Sequence, residues 1–118
     1  MTEIIHHGQQ VWTNYHKTAA CNLKSRIELK NGQEQGGRAC LKAVAETVLA
    51  LLGEAKQYGI AVRPVGAGWS PAPINIVEDG WLVETMRLNR TFKLNPAAIH
   101  GDCKIAPEAL LLVQCGAT

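Results

Sequence analysis

The residues best suited to chemistry lie in one run, residues 61–71, which reads AVRPVGAGWSP. Ala61, Val62, Arg63, Pro64 and Val65 read as a strand that breaks at Gly66, Ala67 and Gly68 and continues through Trp69, Ser70 and Pro71. Glycines at 66 and 68 are free to take φ > 0, so the backbone can curl there and present its N–H groups outward. Successive outward N–H groups form a nest for an anion such as phosphate or pyrophosphate. Ala67 keeps the side chain between the glycines small, so a ligand could come close to the main chain. Turns of this composition more often only join two strands, so the neighbouring elements carry the reading.

The other polar residues are spread too widely to suggest a second centre. Cys21, Cys40, Cys103 and Cys115 form no C-x-x-C pair, which argues against zinc. His6, His7, His16 and His100 are equally dispersed, and no metal site is expected. Cys40 and Cys115 lie in apolar settings and read as small buried residues. With no export signal at the polar start, the thiols are expected to be reduced, in a cytoplasmic compartment. No pair of carboxylates or nucleophile–base set stands out, so no catalytic residue is assigned.

The element that must position the glycine run is the helix before it. Leu41, Val44, Ala45, Val48, Leu51, Leu52 and Ala55 recur at spacings of three and four, one apolar stripe of an amphipathic helix. Gly59 stands where a helix commonly stops in a left-handed residue, and residues 60–65 follow as a strand. Residues 24–29 alternate, with Ser25, Ile27 and Leu29 on one parity, as a strand does. Residues 1–10 read as a flexible lead-in, and residues 11–15 as a short extended piece anchored by Trp12. Glu78, Asp79 and Gly80 make a bend, residues 81–84 a strand, and residues 110–115 a final apolar strand with an open edge. Thr85 to Arg90 fits no single element. One helix with four or five short strands describes an α+β chain. A Rossmann unit is disfavoured, because Pro71 and Pro73 follow the glycines where that motif would open a helix.

Taken in order, several short motifs resemble the start of the FAD-binding (PCMH-type) domain of the vanillyl-alcohol oxidase / p-cresol methylhydroxylase flavoproteins. The likeness is greatest to the sugar-lactone oxidases and dehydrogenases. It is carried by Ala55-Lys56 with Gly59, by residues 62–70, by residues 79–83, by Leu88-Asn89-Arg90, and by residues 113–117 ending in Gly116-Ala117. The resemblance implies that residues 11–118 are the first half of such a domain, its short strands packed on one main helix, with the substrate domain absent. It also implies that Val65, Gly66, Ala67, Gly68, Trp69, Ser70 and Pro71 wrap the pyrophosphate of FAD, through main-chain N–H groups and the Ser70 hydroxyl. Arg63 either adds positive field or pairs with a structural carboxylate. Many members carry a histidine where Trp69 stands, bonded to the flavin 8α-methyl group. An indole N–H is a donor only, so FAD is expected to be held noncovalently. Trp69 is also expected to pack under the loop.

The function so implied is the FAD-binding portion of a flavin-dependent oxidoreductase acting on CH–OH groups of a sugar lactone or related alcohol. The alternative is a truncated, non-catalytic flavin-fold module that serves as an interaction partner or as half of a split protein, associating through its exposed strand edge. Composition narrows the field without choosing between them. The chain has 118 residues, 47% hydrophobic and 19% charged, which suits a single folded unit. A net charge of +2 with scattered basic residues gives no reason to expect nucleic acid, and no apolar run is long enough for a membrane span.

Overall fold

The computed structural model describes residues 1–117; Thr118, the last residue of the expected 11–118 unit, lies outside the described residues. The fold is mixed α+β, one main helix with short strands. The strands are β1 (Glu3–His6), β2 (Gln10–Thr13), β3 (Ala20–Leu23), β4 (Ser25–Lys30), β5 (Val62–Val65), β6 (Trp81–Arg87), β7 (Thr91–Lys93) and β8 (Leu111–Val113), and the helix is α1 (Gly37–Gln57). The principal sheet has the order β1-β4-β6-β5. Within it β6 runs parallel to both β4 and β5, and β1 is antiparallel to β4. A parallel connection needs a crossover, and α1 supplies it between β4 and β5.

Both faces of the sheet are covered, which explains the alternation along its strands. Ile27 and Leu29 of β4 and Trp81 and Val83 of β6 face α1, meeting Leu51, Ala55 and the half-buried Val44 and Val48. Leu82 and Val65 point to the opposite face, where Cys21 and Leu23 of β3, Val77 and the half-buried Trp12 close over them. Trp81, Leu82 and Val83 are therefore all buried, the continuous apolar run that a strand covered on both faces requires.

The helix stripe holds at its centre and not at its flanks. Leu51 and Ala55 are buried, whereas Leu41, Ala45 and Leu52 are exposed. Gly59 adopts φ 66°. Its N–H donates to the Lys56 carbonyl at 3.2 Å, and that of Ile60 donates to the Ala55 carbonyl at 2.8 Å, a Schellman stop.

Several expectations are corrected. Residues 1–10 are no free lead-in: β1 pairs along β4, and the His7 N–H donates to the Arg26 carbonyl at 2.8 Å. An otherwise open edge of β4 is thereby satisfied. Strand β3 was not expected, because only Cys21 and Leu23 of its four residues are buried. Strand β6 extends past residue 84 through Thr85 to Arg87. The last strand is shorter than residues 110–115; β8 pairs antiparallel with β7 in a separate two-stranded ribbon, with every β8 side chain exposed. Cys40 is buried as expected, but Cys115 is exposed.

Candidate cofactor site

The glycine loop begins where β5 leaves the sheet, at Val65, whose side chain is buried against Leu82. From there the loop is fastened to its surroundings almost wholly through carbonyl oxygens. The Gly68 carbonyl accepts from the Tyr15 N–H at 2.9 Å. The Ser70 carbonyl accepts from Asn14 Nδ2 at 3.0 Å and the Pro71 carbonyl from Thr18 Oγ1 at 2.7 Å. At the strand end, Asn75 Nδ2 donates to the Pro64 carbonyl at 2.8 Å. By contrast, none of the N–H groups of Gly66, Ala67, Gly68, Trp69 or Ser70 donates to another group among the described residues. The loop thus spends its acceptors on the fold and leaves a run of donors free.

Asn14 makes this anchoring possible. It is only 3% exposed, and its side chain uses all its capacity. Oδ1 accepts from the Thr18 and Ala19 N–H groups at 2.9 and 3.1 Å, while Nδ2 donates to Thr18 Oγ1 at 2.8 Å as well as to Ser70. Lys17, at φ 55°, tightens this turn, its N–H donating to the Asn14 carbonyl at 3.0 Å. Asn14 was missed in the sequence because its role depends on a partner far along the chain. Its one local signal is a residue type that favours such turns.

The expected site residues do not all behave as anticipated. Gly68 has the left-handed conformation, φ 71°, and a Cβ there would lie 3.3 Å from the Trp12 ring. Gly66 is outside that region and faces open space, so the curl depends on one glycine instead of two. Trp69 does not pack under the loop. It is 58% exposed and stacks on Tyr15 with ring centroids 3.9 Å apart and planes 27° from parallel. Ala67 and Pro71 are exposed and Ser70 is half-buried. The Ser70 hydroxyl has no partner among the described residues, so it remains available as a donor. Arg63 is exposed on the sheet face it shares with Val65, and it forms no ion pair among the described residues.

A cleft of about 180 Å³ opens beside the loop, lined by Trp12, Tyr15, Gly66, Ala67, Gly68 and Glu84, among others. Glu84 would repel an anion if bare, but Arg26 Nη1 pairs with its carboxylate at 2.7 Å. Larger clefts lie elsewhere. One, of about 370 Å³, is apolar and runs between α1 and the sheet past Val44, Val48, Leu52, Pro64 and Cys115. It is about twice the volume of the cleft beside the loop, but it offers almost no polar group to orient a ligand. No group of three or more His, Cys, Asp or Glu side chains suited to a metal occurs among the described residues.

A half-buried polar cluster holds the ribbon of β7 and β8 to the start of α1. Asn31 Nδ2 donates to Gln114 Oε1 at 2.8 Å, and Gln114 Nε2 returns a bond to Asn31 Oδ1 at 2.9 Å. Arg90 donates through Nη2 to the Gly32 carbonyl at 2.6 Å and through Nη1 to the Glu34 carbonyl at 3.0 Å. The Cys40 thiol is fully buried within the cluster, with Gln114 Nε2 at 3.5 Å. In Leu88-Asn89-Arg90 the outer residues are thus structural: Leu88 fills the core and Arg90 ties loop carbonyls together.

Comparison with protein-family models, with characterised proteins and with solved structures gives no match. Among the described residues no helix is long and apolar enough to cross a membrane. Fold and site together define an α+β unit whose parallel strands deliver a loop of free amides to the surface.

Proposed function

We propose that this chain is the FAD-binding portion, of PCMH type, of a flavin-dependent oxidoreductase acting on CH–OH groups of a sugar lactone or related alcohol, with the flavin held noncovalently. The observation that carries the reading is the run of unclaimed N–H groups at residues 66–70, held in place by carbonyls bonded to Asn14, Tyr15 and Thr18. Several neutral donors can share the charge of a pyrophosphate, and Arg63 adds an uncompensated positive charge on the same sheet face. When bound, FAD supplies the two-electron acceptor for oxidation of the alcohol carbon. The residues of this chain bind and orient; none is assigned as catalytic base, since no nucleophile–base pair surrounds the loop.

The cleft is smaller than the roughly 300–1,000 Å³ that normally enclose a ligand of this size, so binding by the chain alone is weak. Titration with FAD, followed by flavin fluorescence, is expected to give weak saturable binding that Gly68→Val abolishes. A β-branched residue at φ 71° is strained, and its Cβ would crowd the Trp12 ring at 3.3 Å. Binding that survives in Gly68→Val, or no saturable binding at all, would overturn the reading.

The second reading, a non-catalytic module that docks a partner, draws on the exposed Leu111, Leu112 and Val113 of β8. A chain that never binds flavin but associates through β8 would favour it.

A further inference from the structure

Two large aromatic rings stand in solvent beside the free amides, and the core does not use them. Tyr15 is 59% exposed and Trp69 58% exposed, yet they stack on each other at 3.9 Å. The His16 ring meets both edge-on, 5.3 Å from Tyr15 and 6.3 Å from Trp69. The bonds that fix the loop hold Tyr15 itself, through its N–H to the Gly68 carbonyl, and the neighbours on either side of Trp69, through that bond and Asn14 to the Ser70 carbonyl. Rings already stacked on each other have less freedom to lose than separate rings when a flat ligand settles on them. Every planar heteroaromatic ring presents a π-face that such a surface can stack.

We infer that the Tyr15/Trp69 stack is a ring-binding subsite beside the amide loop, so that the ligand joins a phosphate or diphosphate to an extended planar ring. The inference rests on the anion-binding reading of residues 66–70 and adds to it a second recognition element of different chemistry. Phosphate oxygens accept from the loop amides, while the ring lies against the open aromatic face. Tyr15 belongs both to this surface and to the lining of the adjoining cleft. The ring and phosphate subsites are therefore contiguous, and a ligand lacking either part loses one set of contacts.

Amide-resolved NMR titration of the full chain separates the two elements. Inorganic pyrophosphate is expected to shift the amides of residues 66–70 and leave the Trp69 indole N–H in place. FMN is expected to shift both sets, with the indole signal moved by the ring current of the flavin. Trp69→Ala should weaken FMN about tenfold, the usual scale for losing one stacked ring, and pyrophosphate far less, because the main-chain N–H that pyrophosphate uses is kept. Trp69→Phe, which restores a flat face, should recover most of the loss. Equal weakening of FMN and pyrophosphate in Trp69→Ala, or an indole signal that FMN does not move, would overturn the ring subsite and leave the anion site standing. Failure of both ligands to shift residues 66–70 would overturn the anion site and this inference with it.

Discussion

At the scale of single residues, Asn14 and Trp69 decide most. Asn14 serves two backbone N–H groups, one hydroxyl and one carbonyl from a nearly water-free position. Each such bond contributes about 0.5–1.5 kcal/mol net, and an orphaned buried partner costs more. Asn14→Ala is therefore expected to lower stability by about 2–3 kcal/mol, read from the urea midpoint. A loss below about 0.5 kcal/mol would mean that water replaces the amide. Trp69 bears on how the proposed flavin is retained. Its indole nitrogen offers no lone pair for a bond to carbon, so acid precipitation of the flavin-loaded protein should leave the yellow colour in the supernatant. Flavin fluorescence that stays with the denatured polypeptide would refute noncovalent retention.

At the scale of elements, α1 is the crossover that lets β5 run in the same direction as β4, residues 66–80 form the second crossover from β5 to β6, and the stop at Gly59 sets where β5 begins. A Cβ at Gly59 would touch nothing, so the cost of replacing it is conformational alone. Gly59→Ala should lose about 1–2 kcal/mol, the penalty of placing an L-residue in the left-handed region. Thermal unfolding by circular dichroism measures it, and an unchanged midpoint would mean that the helix end relaxes to another conformation. Gly116 constrains the other end of the site-bearing sheet. Its N–H donates to the Leu88 carbonyl at 2.9 Å, and a Cβ would collide with the Thr85 and Leu88 carbonyls. Backbone approach this close explains why a glycine opens the Gly116-Ala117 pair.

At the scale of the whole molecule, the described chain is longer than it is wide. Its radius of gyration is 16.8 Å, against about 13–14 Å for a compact domain of similar length. The ribbon of β7 and β8 contributes an apolar edge, with Leu111 and Val113 both more than half exposed. An open, apolar edge strand pairs with other chains unless a charge blocks it. The chain should therefore self-associate as its concentration rises, and Val113→Lys should suppress this in sedimentation velocity. A wild-type chain that remains monomeric over the same range would show that the ribbon does not act as an interface.

Local pattern was enough to determine the helix, its stop at Gly59, the parity of Ser25, Ile27 and Leu29, and the α+β character, because these depend on spacing and on residues close in sequence. A left-handed glycine in the turn was legible for the same reason, since a turn needing φ > 0 selects glycine, but local pattern did not separate Gly68, which takes it, from Gly66, which does not. Tertiary structure decided the rest. Strand β1 exists because β4 has an edge to fill, and β3 because Leu82 and Val65 need a cover; neither demand is visible within four residues of sequence. The loop is anchored through its carbonyls, with its donors left over, because Asn14, Tyr15 and Thr18 reach it from some 50 residues earlier. Trp69 is stacked and exposed because Tyr15 arrives on that same turn. Long-range hydrogen bonds and packing thus turned a run of glycines into a surface with free donors and an aromatic face, which composition alone does not encode.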